Sequence, residues 1–171
     1  LKNTLETSIK RVNENTTNIT KNELNINAIG CALLQSLINF KQKDEIITDA
    51  SNSILDLTLT DTYSINMDIK DGIFKPFRKA HYFLSGSFEV NNTTKKHKLL
   101  HFCLYDEYAN KEVFAIKHTL IGGFNTISFS KMFKLLANPA KTYTYSFRAK
   151  GEKLKINNID FNLFRINGTM A

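Results

Sequence analysis

Along the first forty residues, apolar side chains recur every seventh position at Leu5, Val12, Ile19, Ile26, Leu33 and Phe40. This is the seam of a coiled-coil heptad and predicts a continuous helix over residues 1–43, about 60 Å long at 1.5 Å per residue. Three places after Val12 and Ile19 stand Asn15 and Asn22, at the second core position of the heptad. A lone helix would expose this seam, so the helix needs partners. β-Branched residues at the first core position combined with repeated Asn at the second predict a parallel trimer. Near Ile29 to Phe40 the apolar residues spread around the helix, and a stutter there accommodates Leu37.

After Lys43 the period changes from heptad to two. Leu55-x-Leu57-x-Leu59 and Ile65-x-Met67-x-Ile69 alternate strictly, as half-buried strands do. Further strands are expected at 80–90, 99–106, 112–120, 125–129, 142–149, 154–156 and 161–166, with one helical turn within 130–137 stopped by Asn138-Pro139. So many strands with so little helix predict a β-sandwich. The expected division is a stalk over 1–43, an acidic transition segment with the first strands over 44–73, and a β-sandwich head over 74–171.

Charge follows the same division. The formal total of +7 is concentrated in 74–171, while 44–73 is acidic. A cationic head attracts polyanions such as nucleic acid, acidic glycans or teichoic-type polymers, and the alternative is a solvated Lys-rich surface. Lys95-Lys96-His97-Lys98, the end of the densest basic run, lies between two expected strands and is the candidate receptor-contact loop. No apolar stretch is long enough for a membrane-spanning helix, and the N-terminal residues lack the layout of a signal peptide. The sequence opens on Leu1, so a piece of a longer chain with an upstream anchor is expected.

The residues show little catalytic chemistry. Asp106 and Glu107 are adjacent at a strand end, where successive side chains diverge, and so do not form a glycosidase dyad. His81, His97, His101 and His118 lack the short spacings of zinc ligands, and Cys31 and Cys103 form no CxxC pair, so no metal is expected. Cys103 reads as a buried structural thiol. Gly122-Gly123 is a turn without the Lys-Ser/Thr pair of a phosphate loop.

Two resemblances add to this reading. Val12-x-x-Asn15-Thr16-x-x-Ile19-x-x-Asn22 resembles the polar core motif of trimeric adhesin and bacteriophage fibre stalks, whose Asn amides hold an anion on the axis. The resemblance implies an anion, chloride being the candidate, at Asn15 and Asn22; the alternative is that these Asn only set register. Glu23 replaces the Thr expected after Asn22. His81 to Val90, Gly122-Gly123-Phe124, Tyr143-x-Tyr145-x-Phe147 and Phe161-x-Leu163-x-x-Ile166 together resemble a complement-type or tumour-necrosis-factor-like jelly roll over about a hundred residues. That fold is commonly trimeric, with an aromatic-rich sheet toward the threefold axis, which implies Tyr82, Phe88, Tyr143 and Tyr145 as shared-core residues.

The combined expectation is mainly β with an N-terminal coiled coil: a homotrimeric fibre of a bacteriophage or other virus, on the virion surface. Its jelly-roll head would bind a host-surface glycan or polymer rather than nucleic acid, without enzymatic activity. A head that only caps the stalk is the main alternative, and a small depolymerase a further one.

Overall fold

A computed structural model describes residues 2–33, 35–49, 51 and 53–166, and within the helix the side chains of residues 2–22. The chain divides into two units, Leu1–Leu34 and Gln35–Ala171. The first holds one helix, α1 (Lys2–Leu33).

The second unit is an antiparallel sandwich. In chain order its strands are β1 (Leu37–Gln42), β2 (Ile46–Ile47), β3 (Leu55–Asp56), β4 (Asp61–Ile65), β5 (Met67–Lys70), β6 (Ile73–Pro76), β7 (Ala80–Asn92), β8 (Lys98–Asp106), β9 (Lys111–Leu120), β10 (Gly123–Leu135), β11 (Tyr145–Lys150) and β12 (Lys155–Arg165). One sheet runs β10-β7-β12-β1-β4, with β2 also on β12. The other runs β5-β6-β11-β8-β9, with β3 on β11. The chain changes sheet at Asn66, whose positive φ of 56° ends β4 and whose amide donates to the Gln35 carbonyl at 2.9 Å.

The core between the sheets is aromatic. Phe40, Phe74, Phe88, Phe102, Phe147 and Phe161 are buried and meet at centroid separations such as 5.1 Å for Phe40–Phe147 and 5.4 Å for Phe102–Phe161. Edge-to-face and offset geometries of this kind add to the burial of each ring. Asp71-Gly72 joins β5 to β6 with φ of 52° and 79°, the two consecutive positive angles of a type I′ hairpin.

Several expectations are corrected. The helix stops at Leu33, not Lys43, and the apolar surplus at Leu37, Ile38 and Phe40 belongs to β1. β1 pairs with β12 along one edge and with β4 along the other, and its Ile38, Asn39 and Phe40 are buried. Phe40 is 0% exposed against Phe74 and Phe147, and it is a head-core residue rather than a member of the helical seam. The compact second unit therefore begins at Gln35, and the first strands expected in 44–73 are β2 to β5 and the start of β6, part of that unit. Residues 130–135 are strand, because β10 pairs with β7 without interruption from Gly123↔Asn92 to Leu135↔Ala80. The two closing segments at 154–156 and 161–166 are one strand, β12, broken by a bulge between Asn157 and Asp160.

Candidate functional site

On β7, alternation sends Tyr82, Leu84, Phe88 and Val90 into the core and His81, Phe83, Ser85, Ser87, Glu89 and Asn91 to the opposite face. On that outer face the register aligns Met132 of β10, Phe83 of β7, Phe164 of β12, Leu37 of β1 and Ile65 of β4 in one transverse line. The Phe83 and Phe164 rings lie 5.4 Å apart, while Met132 remains 66% exposed and Ile65 47%. An apolar line across five of the sheet's six strands suits an association surface.

The next line is polar: Ser130, Ser85, Asn162 and Asn39. The Asn39 side-chain NH2 donates to Asn162 Oδ1 at 2.7 Å and Asp160 Oδ1 at 3.1 Å, and Asn39 Oδ1 accepts from the Thr62 hydroxyl at 2.6 Å. This network holds the middle of the face rigid. At the far end the same face closes with Phe124, Asn91, Lys155 and Ile47, of which Phe124 is 74% exposed.

In the helical unit, Leu5, Val12 and Ile19 are 62%, 63% and 57% exposed on the single chain, and Asn15 and Asn22 are exposed as well. Thr16 Oγ1 donates to the Val12 carbonyl at 2.9 Å, so its hydroxyl is satisfied within the helix. Ile26 and Leu33 fall in the helix, but their side chains lie outside the described residues.

The basic loop is built around Asn92. Its amide donates to the Lys96 carbonyl at 2.8 Å and its oxygen accepts from the Thr94 hydroxyl at 2.9 Å. Gly122, in the β9–β10 turn, packs against the Thr94 carbonyl. Lys95, Lys96 and His97 are exposed. Lys98 is not: it is buried as the first residue of β8, with Nζ donating to the Glu152 carbonyl at 2.8 Å, which removes it from the contact loop.

The resemblance-based shared-core residues are also redistributed. Tyr82, Phe88 and Tyr145 are buried inside one sandwich and present nothing to a neighbour. Tyr82 donates to the Arg78 carbonyl at 2.7 Å, and the Tyr145 oxygen accepts the Leu136 N–H at 2.8 Å. Burial pushes both phenols up to about 12. Tyr143 is half-buried, edge-on to Tyr108 at 4.9 Å.

The residues that do face outward, Phe83, Phe164, Leu37, Ile65 and Met132, were missed by sequence reasoning. A signal existed in the runs Tyr82-Phe83-Leu84 and Leu163-Phe164, where apolar side chains at both parities of a strand mean that both faces are covered.

On the second sheet, Asp106 accepts the Tyr108 and Ala109 N–H groups at 3.0 Å and so shapes a turn. Glu107 is held by Arg148 Nη2 at 2.8 and 2.9 Å and accepts from the Ser146 hydroxyl. The Arg148 guanidinium lies over the Tyr105 ring at 3.9 Å. The two adjacent carboxylates thus serve different local structures instead of converging.

Beside this network stand His101, Cys103 and Glu112, which no spacing rule groups. Burial pushes the Cys103 thiol up to about 12.

No family model matches the chain, and no curated protein matches it. Among solved structures, the chain is similar to a crystal structure of murine APRIL, with a TM-score of 0.56 at 7% identity over 78% of this chain and all of that one. A second murine APRIL structure gives a TM-score of 0.57 at 9% identity with the same coverage. The Eiger TNF of S. frugiperda gives a TM-score of 0.54 at 8% identity, over 78% of this chain and 92% of that one. At such identities the likeness concerns fold alone. The sheet orders and this likeness together place the head in the TNF-like jelly-roll fold.

Proposed function

We propose that the chain is part of a homotrimeric fibre of a bacteriophage or other virus: α1 forms a three-stranded stalk and the TNF-like head attaches to a host-surface glycan or polymer. The observation that carries the trimer is the apolar line Met132–Phe83–Phe164–Leu37–Ile65 on one sheet face. Copies of the same chain are the occupants it suits, because the helical unit independently presents an apolar seam that only other helices can cover. Asn15 and Asn22 then point to the stalk axis, where chloride is the proposed occupant.

Receptor contact is assigned to Lys95, Lys96 and His97. Within the head they lie at the opposite end from Gln35, since Gln35 bonds to the Arg165 carbonyl while Asn91 and Lys155 pair at the other end of β7 and β12. Three copies of a cationic loop give avidity for a repeating acidic polymer without a deep pocket. The module is read as a binder rather than an enzyme, displayed on the virion surface and tethered by an upstream anchor.

Light scattering on the chain, followed by a glycan and cell-wall polymer array, tests this. A mass of three chains with a hit weakened by Lys95→Ala/Lys96→Ala supports the reading. A trimer with an empty array reduces the head to a structural cap, and a monomer overturns the reading altogether.

A further inference from the structure

His101, Cys103 and Glu112 offer an imidazole nitrogen, a sulfur and a carboxylate oxygen, all within 4.8 Å of one another. His101 and Cys103 are two apart on β8, so both project from one face of the strand. Glu112 comes from β9, beyond the irregularity between Leu104 and Tyr105, and its Oε1 meets His101 Nε2 at 2.8 Å. The residue opposite Cys103 on β9 is Ala115, whose small side chain leaves the space above the sulfur to these two groups.

We propose that these three residues form a divalent-metal site on the outer face of the second sheet, with zinc the metal that this donor set suits. Sulfur, imidazole and carboxylate are the zinc donors, and three protein ligands leave a fourth position for water. Binding exchanges one set of bonds for another. The His101–Glu112 hydrogen bond opens, the proton it held on Nε2 passes to Nδ1 by exchange with solvent, the Cys103 thiol gives its proton to solvent, and metal–sulfur, metal–nitrogen and metal–oxygen bonds replace three metal–water bonds. Three cations neighbour the site in register: Arg148 beside Cys103 and Lys150 beside His101 on β11, and Lys117 beside His101 on β9, both lysines being exposed to solvent. The Arg148 charge is offset by Glu107 and its guanidinium is drawn over Tyr105, along the strand away from His101. β9 is an edge strand held in the sheet by β8 alone, so the metal would clamp that edge.

The proposal is independent of the fibre reading. Its test is titration of the tag-free chain with Co2+, followed by displacement with Zn2+. Expected is one Co2+ per chain with a thiolate-to-cobalt charge-transfer band, retained in Cys31→Ser and lost in Cys103→Ser. His101→Gln and Glu112→Gln, at partly exposed positions, should each weaken binding by about tenfold or more while circular dichroism stays that of the parent. Thermal stability should rise with Zn2+ in the parent and stay flat in His101→Gln. Absence of Co2+ and Zn2+ binding by the folded parent overturns the site. So does a band that survives Cys103→Ser, or affinity unchanged in both His101→Gln and Glu112→Gln.

Discussion

Gly86 and Phe161 face each other across β7 and β12, and the Phe161 ring fills the space that a side chain at Gly86 would need. Phe129 approaches the same point from β10. Gly86 is therefore required by close approach, not by a turn. Gly86→Ala should cost about 1–3 kcal/mol by overpacking, read as a lower denaturant midpoint at unchanged slope. A neutral or stabilising result would mean that the aromatic core yields more readily than its packing implies.

Association is expected to rest on two separable surfaces. Ile19→Asp places three charges in one layer of the proposed stalk and should abolish the helical assembly, with loss of helical circular dichroism. Phe83→Glu does the same to the apolar line on the head. Each single variant should still associate through the intact surface, and the double variant should scatter as a monomer. A fully helical trimer in Ile19→Asp would refute the heptad register.

Alkaline stability has a definite sign. Cys103 is raised from 9.0, and Tyr82 and Tyr145 from 10.0, each to about 12 by burial. Between the unfolded and folded values the folded chain holds more protons, so stability falls as pH rises through that window. This contribution is complete below pH 9 and is lost progressively toward pH 12. Cys103→Ala should remove the part of the decline that starts near the thiol's ordinary value. Tyr145→Phe should remove a part starting one unit higher, and should also leave the Leu136 N–H without its acceptor.

The Glu107–Arg148 pair ties the β8–β9 turn to β11, with both side chains 22% exposed. Arg148→Met should cost about 1–2 kcal/mol, since it leaves Glu107 and the Tyr105 ring face without their partner. A double-mutant cycle with Glu107→Gln should show positive coupling in chemical denaturation. Strict additivity would mean that the pair is solvated and holds nothing.

The long strands over 80–120 were legible because strand alternation is a local signal, whereas Leu55-x-Leu57-x-Leu59 is strand only at Leu55–Asp56 and Ile65-x-Met67-x-Ile69 crosses the change of sheet at Asn66. The helix end was not legible. Leu33 and Phe40 keep the heptad spacing by coincidence, and a short apolar strand run such as Leu37-Ile38-x-Phe40 has the same apolar density as an enclosed helix. The outward apolar line was hidden for a different reason. Met132, Phe83, Phe164, Leu37 and Ile65 come from five strands, and only the pairing register brings them together. The His101–Glu112 contact is likewise a product of register, shifted by an irregularity that no spacing rule contains.

The interior position of β1, between β12 and β4, also has a mechanical meaning. A load entering the head at Gln35 and leaving through the Lys95–His97 loop runs along the strand axes. β1, held antiparallel by β12 from Leu37↔Phe164 to Gln42↔Ile159 and by β4 on its other edge, takes that load in shear. Its hydrogen bonds must then fail together rather than open one by one, so a head pulled between its two ends should resist far more force than the same sandwich peeled from the free edge at β10.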